Sequence, residues 1–167
     1  MKLEDINALS REDFVQALGW VFEDSPWVAE GAWSLRPFAS REALHRAMRQ
    51  QVEGAARERQ VALLRAHPDL GNRLRMSEAS TREQAGAGLN QITPEERNSL
   101  LELNREYRER FGFPFLFAVR GSSNRDIIEA LRRRIAATPQ SEFREALEQV
   151  FRIAGFRLEE LAGERAS

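Results

Sequence analysis

"FGFPFLFAVRG", residues 111–121, decides the fold, because it is the only stretch of this chain that reads as extended. Its aromatic and apolar residues would suit a strand. Pro114, however, turns Phe113 away from helical dihedrals and removes a backbone donor that a sheet ladder would need, so a regular central strand is not expected. With no second extended stretch to pair with it, a sheet has no material, and the rest of the chain must fold through helices.

The flanking sequence is punctuated accordingly. After the extended stretch, Ser123 and Asp126 are placed to cap "RDIIEALRRRIAA", and "TPQS", residues 138–141, opens a long final helix. Before it, "TPEE", residues 93–96, sets Thr93 as N-cap, Pro94 at the first helical position and Glu96 to close a capping box, predicting a helix to about Arg110. Ser40 precedes "REALHRAMRQQV", whose Ala43, Leu44, Ala47, Met48 and Val52 form an apolar stripe. "DSPW" places Ser25 at an N-cap and Pro26 at the first position, while Ser10 and Asp13 cap a helix carrying Phe14, Ala17, Leu18 and Val21. A further helix, from about Ala55 to Ala66, stops in "LLRAHPDLG", residues 63–71. There is no internal repeat, low-complexity tract or linker. The expected fold is all-α, one domain over residues 1–167, a bundle of about seven to nine helices with one short extended segment.

Composition limits the function. A chain of 167 residues, 42% hydrophobic and 31% charged, is long enough to bury a core without staples. Lys and Arg total 25 against 26 Asp and Glu, a net charge of −1, which gives no electrostatic reason for a nucleic-acid or membrane partner. The absence of cysteine excludes disulfides, thiolate metal sites and cysteine nucleophiles. The opening "MKLEDINALSREDF" has no apolar signal-peptide core, no run is long enough to span a bilayer, and "GERAS" is not a peroxisomal or retention signal. A cytoplasmic protein is expected.

Four features bear on chemistry. His67, one of two histidines, is pressed against Pro68, which forces it off the helical path at a helix C-terminus. There it either caps the helix or serves as an acid or base near neutral pH. In "STREQ", residues 80–84, Ser80 and Glu83 have capping-box spacing; alternatively, Glu83 orients and charges His67 while Gln84 bonds a ligand. Arg157 falls on the row of Phe143, Leu147, Val150, Ala154 and Leu161, where a cation needs a partner. That partner is a structural carboxylate or a carboxylate- or amide-like ligand matching its planar fork. Finally, the extended segment either crosses between helices or lines a pocket with apolar side chains and backbone N–H groups. "RRR", residues 132–134, reads as a solvated helix face, and His45 as a surface residue.

Taken in order, "AHPDLG", "STREQ", "FGFPFLFAVRG" and "VFRIAGFRLEEL" resemble the 2-oxo-4-hydroxy-4-carboxy-5-ureidoimidazoline (OHCU) decarboxylases of urate breakdown. The resemblance implies conversion of OHCU to (S)-allantoin with loss of carbon dioxide, without metal or organic cofactor, by a cytoplasmic or peroxisomal enzyme that is commonly a homodimer. It places the catalytic pair on His67 and Glu83. It places substrate contacts on Pro68, Ser80, Gln84 and Arg157, and on Leu116, Phe117, Ala118 and Val119, which enclose the ring or offer N–H groups. "FAVR" stands where many members carry a cysteine in an "ICAR"-like run, a departure that weakens the side-chain contacts implied at 117–119 and leaves backbone contacts open. Two alternatives remain open from the residues alone. One is a cofactor-free hydrolase or isomerase of a ureido compound using the same His–Glu pair. The other is a non-enzymatic helical interaction module, in which the motifs are caps, a crossover and an ion pair.

Overall fold

A computed structural model of the protein describes residues 1–69 and 93–166, with side chains through residue 163. Among these residues there are eight α-helices and no strand. They are α1 (Leu3–Ala8), α2 (Arg11–Leu18), α3 (Pro26–Trp33), α4 (Arg41–Glu53), α5 (Arg57–Ala66), α6 (Pro94–Phe111), α7 (Asn124–Ile135) and α8 (Pro139–Ala166), with a short 3-10 turn at Gly19–Val21. The all-α expectation is met.

The helices begin where side chains satisfy their first N–H groups. Ser10 accepts from the Asp13 N–H and Ser40 from the Ala43 N–H. Thr93 with Glu96, and Ser123 with Asp126, form reciprocal capping boxes in which both bonds are present. Thr138 Oγ1 accepts from the Ser141 N–H at the head of α8. Ser25 is the exception: Pro26 does hold the first position of α3, but the Ser25 hydroxyl donates to the Glu23 carbonyl instead of capping. α6 ends on Gly112 at φ 80°, whose N–H returns to the Arg108 carbonyl. A left-handed residue there is where glycine costs least.

The chain divides into two compact units. The first comprises residues 1–66 and 150–167, the second residues 67–149, so α8 contributes to both. The first unit buries Ile6, Phe14, Leu18, Leu44, Met48, Leu63 and Leu64, with Phe14 stacked on Phe38 and Phe22 edge-on to Phe151. The second is built around Tyr107 of α6, whose ring lies 4.6 Å from that of Phe111 and 5.4 Å from that of Phe115. Ile127 and Leu131 of α7 and Phe143 and Ala146 of α8 are buried in the same unit.

Two surface expectations are corrected. His45 is half-buried, and its Nε2 lies 2.8 Å from the Phe151 carbonyl; an added Cβ at Gly155 would meet the His45 ring at 3.6 Å. Of the three consecutive arginines, Arg132 and Arg133 are exposed, but Arg134 is 4% exposed. It follows Ile127, Ala130 and Leu131 on the buried face of α7, and its charge is met by Glu142.

Candidate active site

α5 closes with Leu63 and Leu64 buried, and the proline that follows His67 forbids another helical turn. His67 is buried, at 6% exposure, although Pro68 beside it is exposed. Asp69 is tied down in turn: its Oδ2 accepts from Arg108 Nη1 of α6 at 3.0 Å. A buried imidazole at this point has ring nitrogens that suit either a helix cap or the transfer of a proton.

The segment after α6 carries neither helix nor strand, which agrees with the effect expected of Pro114. Residues 113–116 are all buried, and only from Leu116 onward does burial alternate: Leu116 and Ala118 are buried, Phe117 and Val119 half-buried. Two of its backbone groups are held from α7 and α8. The Leu116 carbonyl accepts from Arg134 Nη1 at 2.6 Å, and the Ala118 N–H donates to Gln149 Oε1 at 2.9 Å. The Val119 carbonyl accepts the Ser122 N–H at 2.9 Å, and Gly121, at φ 79°, completes the turn into α7. Phe115 and Phe117 stack with centroids 6.0 Å apart.

Arg134 is the centre of a buried polar cluster. Its Nε donates to Glu142 Oε1 at 2.5 Å, the Tyr107 hydroxyl donates to the same oxygen, and its guanidinium carbon lies 4.6 Å from the Phe115 ring centroid. Burial, reinforced by the hydrogen bond to Glu142, raises the Tyr107 pKa far above its ordinary value.

Arg157 lies in the first unit, half-buried between Ala154 and Leu161 on the row that places it at the core edge. Its Nη2 donates to Glu23 Oε1 at 2.8 Å, and its Nη1 to the carbonyls of Trp20 and Val21 at 2.9 and 3.3 Å. The structural partner required of a cation on that row is therefore Glu23, together with carbonyls at the end of the 3-10 turn. Ser80, Glu83 and Gln84 lie outside the described residues. Among the described residues, no group of three or more His, Asp or Glu side chains is arranged to hold a metal ion, and no helix is long and apolar enough to cross a membrane.

Sequence reasoning missed Arg134, Glu142 and Gln149. The signal for Arg134 was its period with Ile127, Ala130 and Leu131, obscured by two exposed arginines beside it. Gln149 likewise follows Glu142 and Ala146 along the buried face of α8.

A family model described as OHCU decarboxylase matches residues 7–159, and the chain belongs to that family. It is 47% identical over 160 residues to the 2-oxo-4-hydroxy-4-carboxy-5-ureidoimidazoline decarboxylase of Haloferax volcanii, covering 96% of this chain and 95% of that protein. Against the protein of the same description from Halalkalicoccus jeotgali, identity is 45% over 161 residues, covering 96% and 92%. The crystal structure of an (S)-allantoin synthase superposes with a TM-score of 0.78 at 30% identity, covering 96% of this chain and 53% of that one.

Proposed function

We propose that this chain decarboxylates OHCU to (S)-allantoin, with His67 moving the proton and Glu83 holding the imidazole in its working tautomer and favouring its charged form. The observation that carries the reading is the family match across residues 7–159, joined to a buried His67 at the end of α5. Pro68, Ser80, Gln84 and residues 116–119 contact the substrate in this reading. Arg157 offers its planar fork to the substrate's carboxylate or amide groups.

The substrate explains why so few groups suffice. The bond from the hydroxyl-bearing carbon to the carboxylate breaks, and carbon dioxide leaves. The electron pair forms a double bond to the adjoining imine carbon, and the imine nitrogen takes the negative charge and then a proton. A second proton is delivered to the former imine carbon on one face, while the hydroxyl gives up its proton and becomes a carbonyl. The ring is thus its own electron sink, so neither a metal nor an organic cofactor is needed to hold the pair. The protein supplies position, hydrogen-bond donors for the developing charge, and a proton of fixed direction.

The match runs across both compact units, which supports reading residues 1–167 as one such domain. A cytoplasmic homodimer completes the proposal and rests on the family resemblance; light scattering after size exclusion tests the dimer. The reaction is tested by adding the protein to freshly generated OHCU and measuring carbon dioxide release. Release faster than spontaneous decay is expected. Consumption of OHCU without faster release would favour a hydrolase or isomerase instead.

A further inference from the structure

Within residues 67–149, the two chain-facing bonds from α7 and α8 differ from ordinary loop contacts in that each is backed by a second partner. Gln149 Nε2 donates to Glu145 Oε2 at 2.7 Å, which fixes the amide so that its oxygen, not its nitrogen, meets the Ala118 N–H. Arg134 is oriented by Glu142, and Glu142 by the Tyr107 hydroxyl, before Nη1 reaches the Leu116 carbonyl. Arg134, Glu142 and Gln149 are exposed by 4%, 1% and 5%, so all three have been taken out of water to make these contacts. Burying charged and amide groups is costly, and an apolar core would avoid the cost.

We propose that Arg134 and Gln149 are positioning residues that set the backbone register of residues 116–119 for decarboxylation, an inference that rests on the proposed function. In extended backbone, the N–H and C=O of successive residues point to opposite edges. The alternating burial of residues 116–119 has that period. With the Leu116 carbonyl and the Ala118 N–H engaged on one edge, the Phe117 N–H and the Val119 N–H turn to the other edge. Those are the donors that remain to meet a substrate oxygen as negative charge develops. A slip by one residue would reverse both the polar edge and the buried face, replacing Leu116 and Ala118 by Phe117 and Val119. Two bonds two residues apart, each from a rigid helix, forbid that slip.

The test is steady-state kinetics on OHCU with the wild type, Gln149→Met, Arg134→Lys and the double variant Glu145→Gln/Gln149→Glu, each checked for thermal unfolding. Gln149→Met keeps length and loses the acceptor. Arg134→Lys keeps a cation for Glu142 and loses the prong to Leu116. Each is expected to lower kcat about tenfold or more while changing KM by less than about threefold, because displaced donors cost most in the transition state. The double variant restores an acceptor for the Ala118 N–H with the donor supplied from position 145, and kcat is expected to return toward the wild-type value. Wild-type kcat in folded Gln149→Met overturns the inference, as does a fall in unfolding temperature with unchanged kcat. If Gln149→Met does not fold, Arg134→Lys decides by the same criterion. Absence of OHCU turnover in the wild type would instead overturn the proposed function, and the inference with it.

Discussion

Arg157 and Glu23 form an ion pair at 2.8 Å, with Arg157 Nη1 bonded to the Trp20 and Val21 carbonyls, so both prongs of one guanidinium have protein partners. The substrate role proposed for Arg157 therefore requires the ligand to share or displace those partners. Arg157→Lys should weaken binding of a urate-like purine analogue about tenfold or more by calorimetry, since one ammonium cannot reproduce a two-pronged charged contact. Unchanged affinity would leave Arg157 as a brace between α8 and the 3-10 turn.

His67→Asn removes the titrating ring and keeps a polar group of similar reach. The expected result is a fall in kcat of about a hundredfold to ten-thousandfold at an unchanged unfolding temperature. Turnover near the wild-type value would remove His67 from the proton path.

Arg134 and Glu142 are buried together, so the cost of breaking the pair should depend on which partner is left. Arg134→Met alone strands the Glu142 carboxylate and should cost about 3 to 5 kcal/mol in urea unfolding. The double variant Arg134→Met/Glu142→Leu should recover most of that loss. A cost below about 1 kcal/mol for the single variant would mean that the pair behaves as an exposed one.

These residues show which parts of the molecule the sequence made legible. The caps at Ser10, Ser40, Thr93 and Ser123 were readable because each bond is local, three residues long, and independent of packing. The interruption at Pro114 was readable for the same reason. Arg134 and His45 were misplaced because their partners, Glu142, Leu116 and Phe151, come from other elements, and only packing brings them near. Arg157 lay between these cases: its row was visible in the periodicity, but the identity of Glu23 as its partner was not. The candidate pair His67 and Glu83 came from ordered motifs, and of that pair only His67 falls within the described residues.

Tyr107 is the only tyrosine in the chain, and burial together with its bond to Glu142 raises its pKa above the ordinary 10.0. The folded state therefore keeps the phenol proton at a pH where the unfolded chain loses it. Its contribution to stability is complete below pH 10 and declines as pH rises beyond that toward the folded value. Urea unfolding between about pH 8 and about pH 11 should show stability falling along the alkaline limb, and Tyr107→Phe should flatten it. Tyrosinate absorbance of the native protein reports the same group directly. Titration near pH 10 in the folded state would contradict the prediction.

The central claim is that the chain takes carbon dioxide from OHCU and delivers a proton to one face of the product. Circular dichroism of the allantoin formed from freshly generated OHCU tests it most directly. The account predicts a single (S) enantiomer, appearing faster than spontaneous decay. Racemic allantoin formed at the spontaneous rate would contradict it.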